Sequence, residues 1–69
     1  MNERTLQNKL NKIEKSIERV SNMMASDGER ENTLDAIVWL YKWKHISYRK
    51  YLSLVDRLFE AYQKGGYVL

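Results

Sequence analysis

The sequence predicts an all-α protein, a small bundle of three helices, on three observations. Apolar residues recur at steps of three and four through both halves of the chain, the period of a helix face. There is no proline, and the three glycines stand at Gly28, Gly65 and Gly66, between or after the periodic stretches. The one run rich in strand-forming residues, Ala36 to Tyr41, has no second short segment bounded by turn signals with which to pair.

The first helix is expected over residues 3–25. Leu6, Leu10, Ile13, Ile17, Val20 and Met24 follow one another at steps of 4, 3, 4, 3 and 4, which places all six on one stripe. As heptads, Leu10, Ile17 and Met24 take a positions and Leu6, Ile13 and Val20 take d positions. Such a seam packs either on the second half of the chain or on its copy in a dimer. In a parallel pair Lys9 would face Glu14 of the second copy. Fewer than three heptads are too few for a free-standing coiled coil, so packing within a bundle is the favoured reading.

The second helix is expected over 31–44. Gly28 suits a left-handed helix end, and Ser26 with Glu29 has capping-box spacing, while Asn32 and Thr33 are rival caps. From Ala36 to Tyr41 no polar face remains, so this helix belongs at the centre of a bundle or in an interface.

The third helix is expected over 47–64, with Tyr48, Tyr51, Leu52, Val55, Leu58, Phe59 and Tyr62 as its apolar pattern. Ser47 is its cap and Lys64-Gly65 its stop. One continuous second helix is the alternative, because Leu34, Val38, Tyr41, His45, Tyr48, Leu52, Val55, Phe59 and Tyr62 keep helical phase throughout. A hairpin of that kind would need a dimer to cover it. The tail, residues 65–69, is expected to fold back on the bundle.

With 69 residues the chain is read as a single helical domain, residues 1–69. A domain this small buries only about 60% of its unfolded surface. No cysteine is present and the single histidine cannot build a zinc site by itself, so neither disulfide nor metal reinforces it. Oligomerisation remains, and a homodimer is expected. The longest apolar run is too short to span a bilayer and Met1-Asn2-Glu3-Arg4 is no signal peptide, which points to a cytoplasmic protein.

No catalytic constellation, cofactor motif or metal cluster is legible. His45 is a lone titratable residue on a helix border. Asp56 and Glu60 read as surface ion-pair formers, because Arg57 adjoins the first and Lys64 lies four residues after the second. An enzyme is therefore not expected.

Charge and aromatic content are unevenly placed. Residues 1–33 hold six basic and six acidic groups, whereas residues 34–69 hold six and three. Between Asp35 and Asp56 no acidic residue occurs. Lys42, Trp43, Lys44, His45, Tyr48, Arg49 and Lys50 are the candidate partner-binding residues. Trp43 and Tyr48 are the contact anchors, and Lys42, Lys44, Arg49 and Lys50 steer toward an acidic surface. Trp39 and Tyr51 are assigned to the core. The expected function is a non-enzymatic regulatory or inhibitory module that binds a protein partner. The alternative is a small nucleic-acid-binding protein whose four basic residues meet phosphates.

Overall fold

The computed structural model describes residues 1–67 and contains three helices, α1 Glu3–Ser21, α2 Asp27–Lys42 and α3 Tyr48–Lys64. All three pack on one another, and no strand occurs among the described residues. Short turns make α1 and α2, and α2 and α3, antiparallel neighbours. Lys9 lies over Trp39 and Arg19 meets Glu29, whereas Glu14 meets Arg57, so α3 runs parallel to α1. The molecule measures 35 × 19 × 15 Å.

Each helix begins at a polar side chain that accepts from the backbone three residues on. Asn2 Oδ1 accepts from the Thr5 N–H at 2.8 Å, Ser26 Oγ from Glu29 at 3.2 Å and Ser47 Oγ from Lys50 at 3.1 Å. Ser47 therefore starts α3 as a separate helix, and the continuous-helix alternative is excluded.

Each helix also ends alike. The amide of Met24 donates to the Arg19 carbonyl, that of His45 to Leu40, and that of Tyr67 to Tyr62, with the preceding amide donating to Val20, Tyr41 and Gln63 respectively. These are Schellman closures, in which the residue after the C-cap is left-handed. Gly66 fills that position in α3 at φ 78°, but Met23 and Lys44 fill it in α1 and α2 at φ 60° and 62°.

That accounts for two corrections. The first helix stops at Ser21 and not at 25, because the left-handed turn at Met23 reverses the chain, and Arg19 Nη2 donates to the Met24 carbonyl at 3.0 Å to close it. The second starts at Asp27 and not at 31, because Ser26 caps it. Gly28 lies in the first turn of α2 and ends nothing, and Thr33 is buried with its hydroxyl donating to the Glu29 carbonyl at 2.7 Å.

The core consists of Ile13, Ile17, Val20, Ala25, Ile37, Leu40, Leu54, Leu58 and Ala61, flanked by half-buried Leu6 and Leu10. Five of the six seam residues of α1 thus pack inside their own bundle. Met24 does not: it lies beyond the helix end and is 61% exposed. The parallel pairing of Lys9 with Glu14 of a second copy is also displaced, since Lys9 covers Trp39 and Glu14 binds Arg57 at 2.9 Å within the chain.

In α2 and α3 the buried stripe overlaps the expected one only in part: Leu58 is buried and Tyr51, Val55 and Tyr62 pack half-buried against the core as the pattern implies. Ile37, Leu40, Leu54, Leu58 and Ala61 form the interior, while Val38, Tyr41, Tyr48, Leu52 and Phe59 remain exposed. Leu54, fully buried, lay outside the expected α3 pattern. A bundle 19 × 15 Å across has an interior suited to aliphatic side chains, so the bulkier rings go to its flanks.

At the other end, Gly65 packs so closely on α1 that an added Cβ would stand 2.5 Å from the Val20 carbonyl oxygen. Tyr67 folds back, its hydroxyl donating to the Ala25 carbonyl at 3.3 Å and its ring 3.9 Å from the Arg30 guanidinium. The rest of the tail, residues 68–69, lies outside the described residues. No described helix is long and apolar enough to cross a membrane.

Candidate docking surface

The seven residues singled out from the sequence lie together at the corner between α2 and α3. Lys42 ends α2, Trp43 is its C-cap, Lys44 and His45 form the turn, and Tyr48, Arg49 and Lys50 open α3. All are exposed except His45, which is half-buried. Because α2 ends at Lys42 and Ser47 caps a separate α3, these residues surround a folded corner and do not line one helix.

The two expected anchors belong to different aromatic groups. Trp43, 60% exposed, stands 6.5 Å from Trp39, whose ring is also 5.4 Å from His45. Tyr48, 58% exposed, joins Tyr41 at 5.6 Å and Tyr51 at 6.1 Å, and Tyr41 stacks on Tyr51 at 4.6 Å. The separation follows from helix geometry: two residues along α2 turn the side chain by about 200°, so Trp39 and Tyr41 leave opposite flanks. Trp39 is consequently exposed and not a core residue, whereas Tyr51 is half-buried against the core.

Some of the ring faces are already occupied. Tyr41 and Tyr51 cover each other, and Lys9 Nζ sits 5.6 Å from the centre of the Trp39 ring. Trp43 is the most open ring of the cluster. Trp39 also connects the corner to a groove of about 610 Å³ between α1 and α2, with Ile13 and Leu40 at its base and Lys9, Lys12 and Asn32 along it.

Two of the four cations occupy an electrostatically unfavourable place, whereas Lys42 and Lys44 stand at the negative end of the α2 dipole. Arg49 and Lys50 stand in the first turn of α3, where the helix dipole is positive, and no acidic residue shares that turn. None of Lys42, Lys44, Arg49 and Lys50 forms an ion pair among the described residues. Positive charge therefore accumulates at the corner with no carboxylate paired to it among the described residues.

Elsewhere the ion pairs serve the fold. Arg19 binds Glu29, Arg30 binds Asp27, and Arg57 binds Glu14. Arg57 thus reaches across to α1 and leaves Asp56 without the expected neighbour, and no Glu60–Lys64 pair occurs among the described residues. The same residues contain no group of three side chains able to hold a metal ion.

No family model matches the chain, and no curated protein and no solved structure matches it.

Proposed function

We propose that this chain is a non-enzymatic regulatory or inhibitory module of the cytoplasm that docks on an acidic surface of a protein partner. The observation that carries this reading is that Lys42, Lys44, Arg49 and Lys50 surround the exposed indole of Trp43 with no ion-pair partner among the described residues. Two cations at the positive end of a helix dipole cost stability, about 0.3–1 kcal/mol each, which a folded domain tolerates where binding uses the charge. Trp43 supplies the apolar contact and the cations supply steering.

A protein partner is favoured over nucleic acid by the state of the rings. Continuous base stacking needs successive open aromatic faces. Here Tyr41 and Tyr51 stack on each other and Lys9 lies over one face of Trp39, which leaves Trp43 and Tyr48, in separate groups, as the most open rings.

The test is photo-crosslinking from position 43 in the source cells, with the captured protein identified by mass spectrometry and then titrated in purified form. Lys44→Glu/Lys50→Glu should weaken that complex by about 10-fold or more, and more at low salt than at high. Undiminished affinity in the double variant would overturn the assignment of these residues. Labelled nucleic acid gives the opposing measurement. Four phosphate contacts on duplex would lose roughly 10²-fold in affinity between about 50 and 200 mM salt, and such binding would replace the protein reading with the nucleic-acid one.

A further inference from the structure

We infer that the outer face of α2 and α3 is a two-fold interface between two copies of this chain. Val38, Tyr41, Tyr48, Leu52 and Phe59 line that face at 40, 38, 58, 40 and 41% exposure. Together they leave about 450 Å² of side-chain surface open, at the scale of a functional patch. Half-buried Tyr51, Val55 and Tyr62 extend it toward the roughly 800 Å² per partner of a stable interface.

The charges beside this face identify its occupant. Arg49 and Asp56 are seven residues apart on α3 and therefore lie within about 20° of the same direction. Asp35 and Lys42 are spaced identically on α2. All four are exposed, and none is in an ion pair among the described residues. Each helix thus carries one cation and one anion on either side of an apolar residue, Leu52 on α3 and Val38 on α2.

The two patterns share a level. α2 and α3 are antiparallel, and Tyr41 contacts both Tyr48 and Tyr51, which brings Val38 beside the stretch from Leu52 to Val55. A two-fold axis at that level lays α3 antiparallel to its copy. Leu52 then meets Val55 of the second copy, and Tyr48 meets Phe59. Arg49 stands beside Asp56 of the second copy, and Lys42 beside Asp35. This is the self-complementarity of an isologous dimer, in which each contact occurs twice. The axis also sends the two basic corners to opposite ends, where they do not repel.

The interface shares Lys42, Tyr48 and Arg49 with the docking surface but leaves Trp43, Lys44 and Lys50 outside. The dimer presents the docking corner twice. Its existence does not depend on the docking reading, because it is measured as mass with no partner present.

Sedimentation equilibrium of the full chain at micromolar concentration is the test, and the expected mass is twice 8.3 kDa. Leu52→Asp should raise the dissociation constant by about 10²-fold or more while helical circular dichroism is retained. Arg49→Asp and Asp56→Arg should each weaken the dimer about 10-fold, and the double reversal should restore it to within roughly threefold. A monomeric wild type, or a dimer indifferent to Leu52→Asp, overturns the inference. So does a double reversal no better than the single ones, since that charge pairing defines the axis. Loss of partner capture in Lys44→Glu/Lys50→Glu with an intact dimer mass bears on the docking surface alone.

Discussion

Arg19 and Glu29 join the end of α1 to the start of α2 through two parallel hydrogen bonds, Nε to Oε2 at 2.7 Å and Nη2 to Oε1 at 3.1 Å. The same Nη2 donates to the Met24 carbonyl in the intervening turn. The carboxylate that the capping-box spacing would return to its own helix is used to hold two helices together. The hydrogen bond from Arg19 holds the Glu29 carboxyl below its usual range, its charge adds to the effect, and desolvation opposes both.

Because the folded-state pKa of Glu29 is depressed, its stabilisation is complete above the unfolded carboxyl pKa of about 4.3 and is lost as pH falls through the lower folded value. Glu29→Gln should therefore lower the melting temperature at neutral pH. The gap from wild type should close on acidification through that window. Thermal denaturation of both proteins at neutral and acidic pH checks this, and a constant gap would show that the charge of Glu29 is not what matters.

The two left-handed residues that are not glycine offer gains in stability. Met23 and Lys44 have positive φ, and Met23 is largely exposed, so replacement removes little packing. Met23→Gly and Lys44→Gly should each stabilise by about 0.5–1 kcal/mol, the relief of left-handed strain less the extra freedom of glycine in the unfolded chain. Gly66→Ala, at φ 78°, should cost about 1 kcal/mol. Urea denaturation of the three variants decides it.

Gly65 is sensitive for another reason. Its φ of −80° suits any residue, but a Cβ would collide with the Val20 carbonyl and stand 2.9 Å from the Tyr67 ring. Gly65→Ala should destabilise by about 1–3 kcal/mol, the range for overpacking. Gly28→Ala, which meets nothing within 4 Å, should be neutral or stabilising. Equal effects at the two positions would contradict the close approach of α3 to α1.

Truncations separate the observed core from the expected one. Leu54→Ala should cost about 2–5 kcal/mol, as for other fully buried leucines. Met24→Ala should change stability by less than about 0.5 kcal/mol, because that side chain is mostly solvated. Chemical denaturation measures both, and a costly Met24→Ala would restore it to the seam.

The α1 stripe was readable because its apolar residues have polar neighbours on every other side, so only one face could be buried. Ser47 announced the start of α3 through local chemistry, side-chain oxygen to backbone N–H, which needs no tertiary contact, whereas Ser26 had Asn32 and Thr33 as rivals of the same chemistry and the start of α2 stayed open. The clustering of Lys42, Trp43, Lys44, Tyr48, Arg49 and Lys50 was readable because the residues are adjacent in sequence. The division of Trp39 from Tyr41 follows from helix geometry, but the packing of Tyr41 against Tyr48 and Tyr51 across the corner was not readable, since it depends on how the chain folds at the break before Ser47.

The sequence by itself determined a helical protein, the cap of α3, and five of the six residues of the buried stripe of α1, all of which follow from periodicity and from bonds between near neighbours. Only the tertiary structure decided which of two overlapping apolar stripes α2 and α3 bury. Both stripes have helical spacing, so periodicity cannot choose between them. The choice falls to the packing of each helix against both others, which places Ile37, Leu40, Leu54, Leu58 and Ala61 at the centre and turns Tyr41, Tyr48, Leu52 and Phe59 outward; volume alone does not decide, since Leu52 and Leu54 are the same size. Tertiary structure likewise ended α1 at Ser21, because the carbonyls of the following turn find their donors on Arg19, Arg30 and Tyr67, which lie on three different segments of the chain.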